Sequence, residues 1–450
     1  MGIWSEITVK QKLALTAALA LAVRFSCTAF LTHMGDTSAW PRIMASVESG
    51  NDIYGVMGNY YTPVWGYILS FLDLMIQTAG AVPLFGDYFE GLLPLEGVRS
   101  YRPFVISPEM NMAIKFPLGT VDVAVGWMLY RIILGRTGDQ SRALRAMVLW
   151  CFCPATIYMS SVQGQFDCIS TALILGCIAL AGRDRPLLAG IMFGFAAWLK
   201  VFPAVCILLL TAYLRPVRGG KWAGGVMTAA AGAAAVSAAL LLPQLLSGQI
   251  DDAFIFLTDR QTADFSSLYG AAVSLRQVLV GLLLLALMVL TARRIWHMDK
   301  DEAGTAVYIC AGLLIAAATI MNRGYQYAPS VIGFIILCME MAPDRRGYPL
   351  SYWGLGMFSF AEALVHAGFT LLCLSCAYYG LIDYDTFMSL SVSFAEDLPV
   401  NLIEGVLALI WSAAVWYYIA LAAHDVLGRR DTRPGMLMER LRAPFGRVPG

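Results

Sequence analysis

The sequence predicts an all-α integral membrane protein, a bundle of about twelve transmembrane helices with a long first loop on the extracytoplasmic side. Three observations predict it. Of the 450 residues, 58% are hydrophobic and only 14% are charged, with a mean hydropathy of +0.66; soluble domains carry about 25% charged residues. Apolar runs of spanning length recur along the whole chain. The basic residues collect in alternate connections, as the positive-inside rule requires of a multi-pass protein. The formal net charge is zero, which gives no reason to expect nucleic acid as a partner.

Runs long enough to cross or nearly cross a bilayer occur at about 13–32, 113–134, 144–162, 165–181, 223–243, 276–292, 303–321, 326–342, 351–376 and 401–423. The first run is too long for a signal peptide and lacks a small-x-small cleavage pattern, so it reads as the first span. Residues 61–82 could be a span or an interfacial segment, and 187–214 could be one span or two short ones broken near "LKVFP". The basic residues decide both. With 61–82 on the surface and 187–214 as two half-length helices, 21 of the 31 Lys and Arg share one side with both termini. That side is the cytoplasm, and the expected membrane is a bacterial plasma membrane.

The opposite side then carries the long loop 33–112, and this loop is not polar filler. In "AWPRIMASVESG", Trp40, Ile43, Met44 and Val47 fall at i, i+3, i+4 and i+7, one apolar face of a short helix lying on the membrane. "YYTPVWGYILSFL" is a second such segment, rich in interfacial Tyr and Trp. Eight of the ten cysteines fall inside apolar runs, where Cys behaves as a small hydrophobe. Cys373 and Cys376 form a lone CxxC with no partner pair in an outer loop, and read as small helix residues.

Charges at membrane depth each need a reason, since insertion costs about 2.5–3.5 kcal/mol apiece. Arg24 lies in the first span and Asp122 in the second; "QGQFD" brings Gln165 and Asp167 to the outer face, Lys200 sits at the break in 187–214, and Arg323 occupies the turn "NRGY". Asp122 reads as the buried partner of a Tyr or Arg. The rest cluster toward the outside. Cations there (Lys200, Arg323, Arg24, Arg276) suit a lipid-borne phosphate, and a nearby carboxylate could take a proton from a hydroxyl. Each also has a structural reading: Asp36 as an N-cap, Gln165 and Asp167 as interhelical glue, Lys200 as a snorkelling side chain, Arg323 as a loop charge.

Taken in order, these segments resemble the GT-C superfamily of polytopic glycosyltransferases over roughly residues 24–215. "GDTSAWPRIMASVESGNDIYG" looks like the superfamily's first external loop, and "NYYTPVWGYILSFL" is similar to its amphipathic "Y-x-Y-P-P-L" helix. "KFPLGTVDVAVGWMLYR" resembles the "K-x-P-x-x-x-x-D" second span, and "GQFD…LKVFP" the "G-Q-x-D" and "K-x-x-P" helix pair. The nearest branch holds bacterial polyprenyl-phosphate mannosyltransferases and dolichyl-phosphate-dependent glucosyltransferases. The resemblance implies a GT-C bundle and an inverting hexosyltransferase, with mannose favoured. It would use a polyprenyl-phosphate sugar as donor substrate and a glycan or glycolipid of the cell envelope as acceptor. It implies Asp36 as catalytic base, Lys200, Arg323, Arg24 and Arg276 at the donor phosphate, and Tyr60, Tyr61, Gln165, Asp167 and Tyr325 as substrate contacts. No cofactor or metal is implied.

"MNRGYQYAP" departs from the superfamily's "H-E-x-Y"-like late loop, with Asn322 and Arg323 in its place. Residues 1–222 form the GT-C-like module with loop 33–112, 223–428 a variable module, and 429–450 a basic cytoplasmic tail. The main alternative is a transporter or lipid-linked sugar flippase, which intramembrane charges and a broken helix also suit. No repeat relates the two halves, and the charges gather at one face rather than the midplane.

Overall fold

In a computed structural model 86% of the described residues are helical, and none of them is in a strand. These are 7–33, 37, 39–50, 52–54, 61–80, 106–254, 268–322, 324–342, 346–367, 369–383, 385–386, 389 and 399–428. Asp36, Tyr60, Arg323 and the tail from residue 429 lie outside them.

The chain opens with α1 (Val9–Thr28), whose Thr8 forms a capping box with Gln11. Two short helices follow, α2 (Ala39–Glu48) and α3 (Pro63–Thr78). At 16 residues α3 is about 24 Å long, short of the roughly 30 Å hydrocarbon core. It buries Trp65, Leu69 and Ile76 and turns Phe71, Leu74 and Met75 outward. Tyr67 anchors it to the bundle by hydrogen bonds to the Gln244 side chain and the Leu240 carbonyl. It is among the shorter helices of the molecule, packed against α2 and against the later helices Pro186–Leu199 and Trp222–Ser247.

The bundle continues through α4 (Pro108–Thr137), α5 (Gln140–Cys151), α6 (Pro154–Ser161), α7 (Asp167–Gly182), α8 (Pro186–Leu199), α9 (Ile207–Arg218) and α10 (Trp222–Ser247). It is completed by α11 (Leu268–Trp296), α12 (Lys300–Asn322), α13 (Ala328–Met341), α14 (Tyr348–Ala367) and α15 (Val400–Leu427). Five described helices are long and apolar enough to cross a membrane, or six if a bent pair counts as one span; α7 and α8 are apolar but shorter. The molecule is an integral membrane protein.

Two predicted spans are interrupted. Residues 144–162 do not form one rod: α5 and α6 meet at 51°. Pro154 opens α6, and proline lacks the N–H that would continue the ladder. The carbonyls freed there find other donors. Thr156 Oγ1 reaches the Trp150 and Cys153 carbonyls, both at 2.9 Å, and Arg24 Nη1 reaches that of Cys151 at 2.8 Å. The predicted span 351–376 is α14 followed by a 3₁₀ segment, Phe369–Tyr379, whose Cys373 and Cys376 are free thiols. Residues 187–214 are two helices, as expected, with a 3₁₀ turn Phe202–Cys206 between them.

α12 and α13 occupy the centre: 89% of the apolar window of α12 is buried, against 22% for α11 at the periphery. The outward faces of α11 and α15 carry Leu282, Leu285, Leu402 and Leu409, a surface suited to lipid rather than water. α8 and α10 cross with their backbones in contact, which small residues permit at helix interfaces in membranes. A Cβ on Gly190 would collide with the Ala229 backbone, and one on Gly232 with the Leu187 carbonyl at 2.5 Å.

Candidate active site

At the end assigned to the outside, five separate segments are stitched together. Thr37 donates to the Gln163 carbonyl at 3.0 Å, and Trp40 Nε1 to that of Gly164 at 3.1 Å. Gly164 has φ +69°, a left-handed conformation that favours glycine. Lys115, fully buried on α4, donates from Nζ to the Leu31 carbonyl at 2.6 Å. His33 Nε2 and the Tyr325 hydroxyl are 3.3 Å apart. The stretch leaving α1 is thus fastened to α4, to the 163–167 loop and to the turn before α13. His33 and Thr37, which flank Asp36 in sequence, are both held here.

The break after α8 supplies the cation. Lys200 Nζ sits 2.6 Å from Asp167 Oδ2, and 4.9 Å from the centroids of both the Phe166 and Tyr327 rings. Ser330 Oγ reaches the other carboxylate oxygen at 3.4 Å. Asp167 therefore places the ammonium while two of its three N–H groups stay available. Lys200, Tyr61, Thr62 and Tyr327 line a small pocket. Tyr61 of this lining belongs to an aromatic cluster in which Trp40 and Phe166 each pack against Tyr61 and Trp65. The Thr62 hydroxyl is buried without a hydrogen-bond partner among the described residues, as are both polar atoms of the Gln165 side chain. Unpaired buried polar groups are costly; Thr62 lines the pocket, and Gln165 lies two residues before Asp167, the partner of Lys200.

The predicted residues divide accordingly. Lys200, Asp167, Gln165, Tyr61 and Tyr325 converge at the outer end. Arg24 does not: it is fully buried against Asp122, with Nε at 2.8 Å and Nη2 at 2.6 Å from Oδ2, and its Nη1 serves the Ala20 and Cys151 carbonyls. The guanidinium holds the broken α5–α6 helix, fully enclosed and with its charge met by Asp122. Arg276 is half-buried on α11 and does not line the Lys200 pocket. His33, Lys115, Thr62, Tyr327 and Ser330 were not singled out as site residues. Only Lys115, within the "KFP" motif, carried a signal in the sequence.

Residues 112–321 match the model of Glycosyltransferase family 87, a stretch that takes in Lys115, Asp122, the 163–167 loop and Lys200, and the match supports a membrane glycosyltransferase.

Proposed function

We propose that this protein transfers a hexose, mannose in the favoured case, from a polyprenyl-phosphate-linked donor to a hydroxyl of an extracytoplasmic glycan or glycolipid. The observation that carries the reading is the Lys200 ammonium, held by Asp167 at 2.6 Å in an aromatic-lined pocket at the outer end. The Asp36 carboxylate accepts the acceptor's O–H proton. The acceptor oxygen attacks the anomeric carbon, and the bond from that carbon to the phosphate oxygen breaks. The electron pair leaves on the polyprenyl phosphate, so configuration inverts. Charge develops on the departing phosphate, where a prepositioned ammonium stabilises the transition state more than the ground state. Arg323 is the second cation assigned to that phosphate. The apolar wall of Leu199, Val201 and Phe202 is assigned to the first units of the prenyl chain, and Gln165 and Tyr61 to the sugar.

The test offers purified protein radiolabelled polyprenyl-phosphate mannose, then glucose, with a lipid and glycan extract as acceptor. Label is expected in product with the wild type and is expected to be lost with Asp36→Asn at unchanged unfolding temperature. Transfer undiminished in Asp36→Asn overturns the assignment of the base. Failure to bind either donor overturns the donor class and restores the transporter reading.

A further inference from the structure

The opposite end of the bundle holds a second cavity, of about 450 Å³, between the C-terminal halves of α4 and α7. Its lining lies 12 to 21 residues along α4 from Lys115, about 18–32 Å at 1.5 Å per residue, so it is separate from the site above. Its volume falls in the range of ligand pockets, about 300–1,000 Å³. Arg131, Arg136 and Arg183 line it, and no carboxylate does. Neighbouring arginines on the same end are paired: Arg142 with Asp139, Arg145 with Glu340, Arg218 with Asp184. The three in the cavity make no ion pair among the described residues.

The rest of the wall is apolar. Met128 and Ile132 come from α4, Leu180 from α7 and Met192 from α8. Gly135 and Gly176 leave the space, and Tyr308 of α12 closes the back. The Arg131 guanidinium lies 5.3 Å from the centroid of Trp127, whose half-exposed ring marks the rim. From that rim an exposed stripe runs up α4 through Ala124, Thr120 and Phe116, about 16 Å of apolar surface at membrane height. A free anion would have no use for such a path. A lipid would, with its headgroup among the arginines and one acyl chain along α4.

We propose that this cavity binds an anionic phospholipid of the cytoplasmic leaflet through its phosphate-bearing headgroup. Basic pockets between transmembrane helices on that side are suited to such headgroups. The proposal is independent of the donor and acceptor assigned to the outer site.

Native mass spectrometry of the full chain in detergent tests it. Dioleoyl phosphatidylglycerol and dioleoyl phosphatidylcholine are titrated separately, with glycerol phosphate as a soluble competitor. Wild type is expected to retain the anionic lipid at least tenfold better, and glycerol phosphate is expected not to displace it. Arg131→Gln/Arg136→Gln/Arg183→Gln is expected to abolish the preference, a loss on the order of 100-fold for three basic groups at a membrane surface. Gly135→Leu keeps every charge and fills the cavity from a position with open space around its Cβ; it too is expected to lose the lipid. Arg185→Gln, on the same end but outside the cavity, is expected to bind as wild type does. Equal retention of the two lipids by wild type, or a preference that survives in the Gly135→Leu protein or the triple variant, overturns the proposal. Displacement by glycerol phosphate replaces the lipid with a soluble anion and overturns it as well.

Discussion

Two buried ion pairs, Arg24–Asp122 and Lys200–Asp167, have the same closest approach, 2.6 Å, and opposite surroundings. Arg24 is enclosed, and its guanidinium is shared between one carboxylate oxygen and two carbonyls. Asp122 Oδ2 also accepts from Ser160 Oγ at 3.0 Å, while Oδ1 has no hydrogen-bond partner among the described residues. Lys200 opens on a pocket, among aromatic faces, with donors to spare. The first pair is a strut across a helix break. The second borders a small pocket, where the proposed function places the donor phosphate. A charge inside a membrane protein thus signals function only when part of its hydrogen-bonding capacity remains open to a cavity.

Removing one member of the enclosed pair produces the largest effect. Asp122→Ala or Arg24→Met is expected to lower stability by about 3–5 kcal/mol, seen as a fall in the thermal unfolding midpoint in detergent. Arg24→Met/Asp122→Leu is expected to recover most of that loss, together with transfer activity, because an apolar pair of similar volume replaces an imperfectly satisfied ionic one. If the single variants unfold at the wild-type temperature, the pair is not a strut.

The open pair is expected to behave differently under the same treatment. Lys200→Gln/Asp167→Asn keeps a hydrogen bond and removes both charges, so it should fold. Transfer is nevertheless expected to fall about 100-fold, the usual size of losing one transition-state donor. A steady-state transfer assay on protein of matched unfolding temperature checks this. Activity recovered by the neutral pair would make Lys200 a second Arg24.

Gln165 sharpens the contrast at a smaller scale. Its buried amide lacks a partner among the described residues, so Gln165→Leu is expected to leave stability unchanged or raise it by about 1 kcal/mol. It is also expected to raise KM about tenfold, near 1.4 kcal/mol of lost binding. A change in stability alone, with KM constant, would confine Gln165 to packing.

The helical class, the short helices within the 33–112 loop and the broken 187–214 region were legible because bilayer thickness, apolar periodicity and loop charge constrain them strongly. The "QGQFD" and "LKVFP" motifs were legible because polar residues are rare at that depth. Arg24 shows the limit of that signal: an arginine in a span announces a partner without saying which. Only the packing of α1 against α4 and the α5–α6 break shows that the partner is Asp122 and not a substrate. His33, Thr62 and Ser330 are ordinary residues in sequence, and their place at the site comes from contacts across 292, 138 and 163 positions respectively. Nothing local encodes such contacts.

A third buried carboxylate, Asp73 on α3, extends the comparison to a case with no cation. Gln77 Nε2 bridges it to Glu48 of α2, at 2.8 Å and 2.9 Å. Burial first, and then the charge of Glu48, raise the Asp73 carboxyl to about 6. A raised acid binds its proton more tightly in the folded state than in the unfolded one. Stability from this site is therefore full below about pH 4, falls as pH rises from 4 to 6, and is flat above. This is opposite in sign to an acid paired with a cation. The expected amplitude is about 1 kcal/mol once screening at the surface is allowed for. Thermal unfolding between pH 4 and 8 should show wild type losing stability relative to Asp73→Asn over that window, because the amide never acquires the charge that Glu48 opposes. Parallel curves for the two proteins would mean that Gln77 alone accommodates both carboxylates, and that the α2–α3 contact is indifferent to pH.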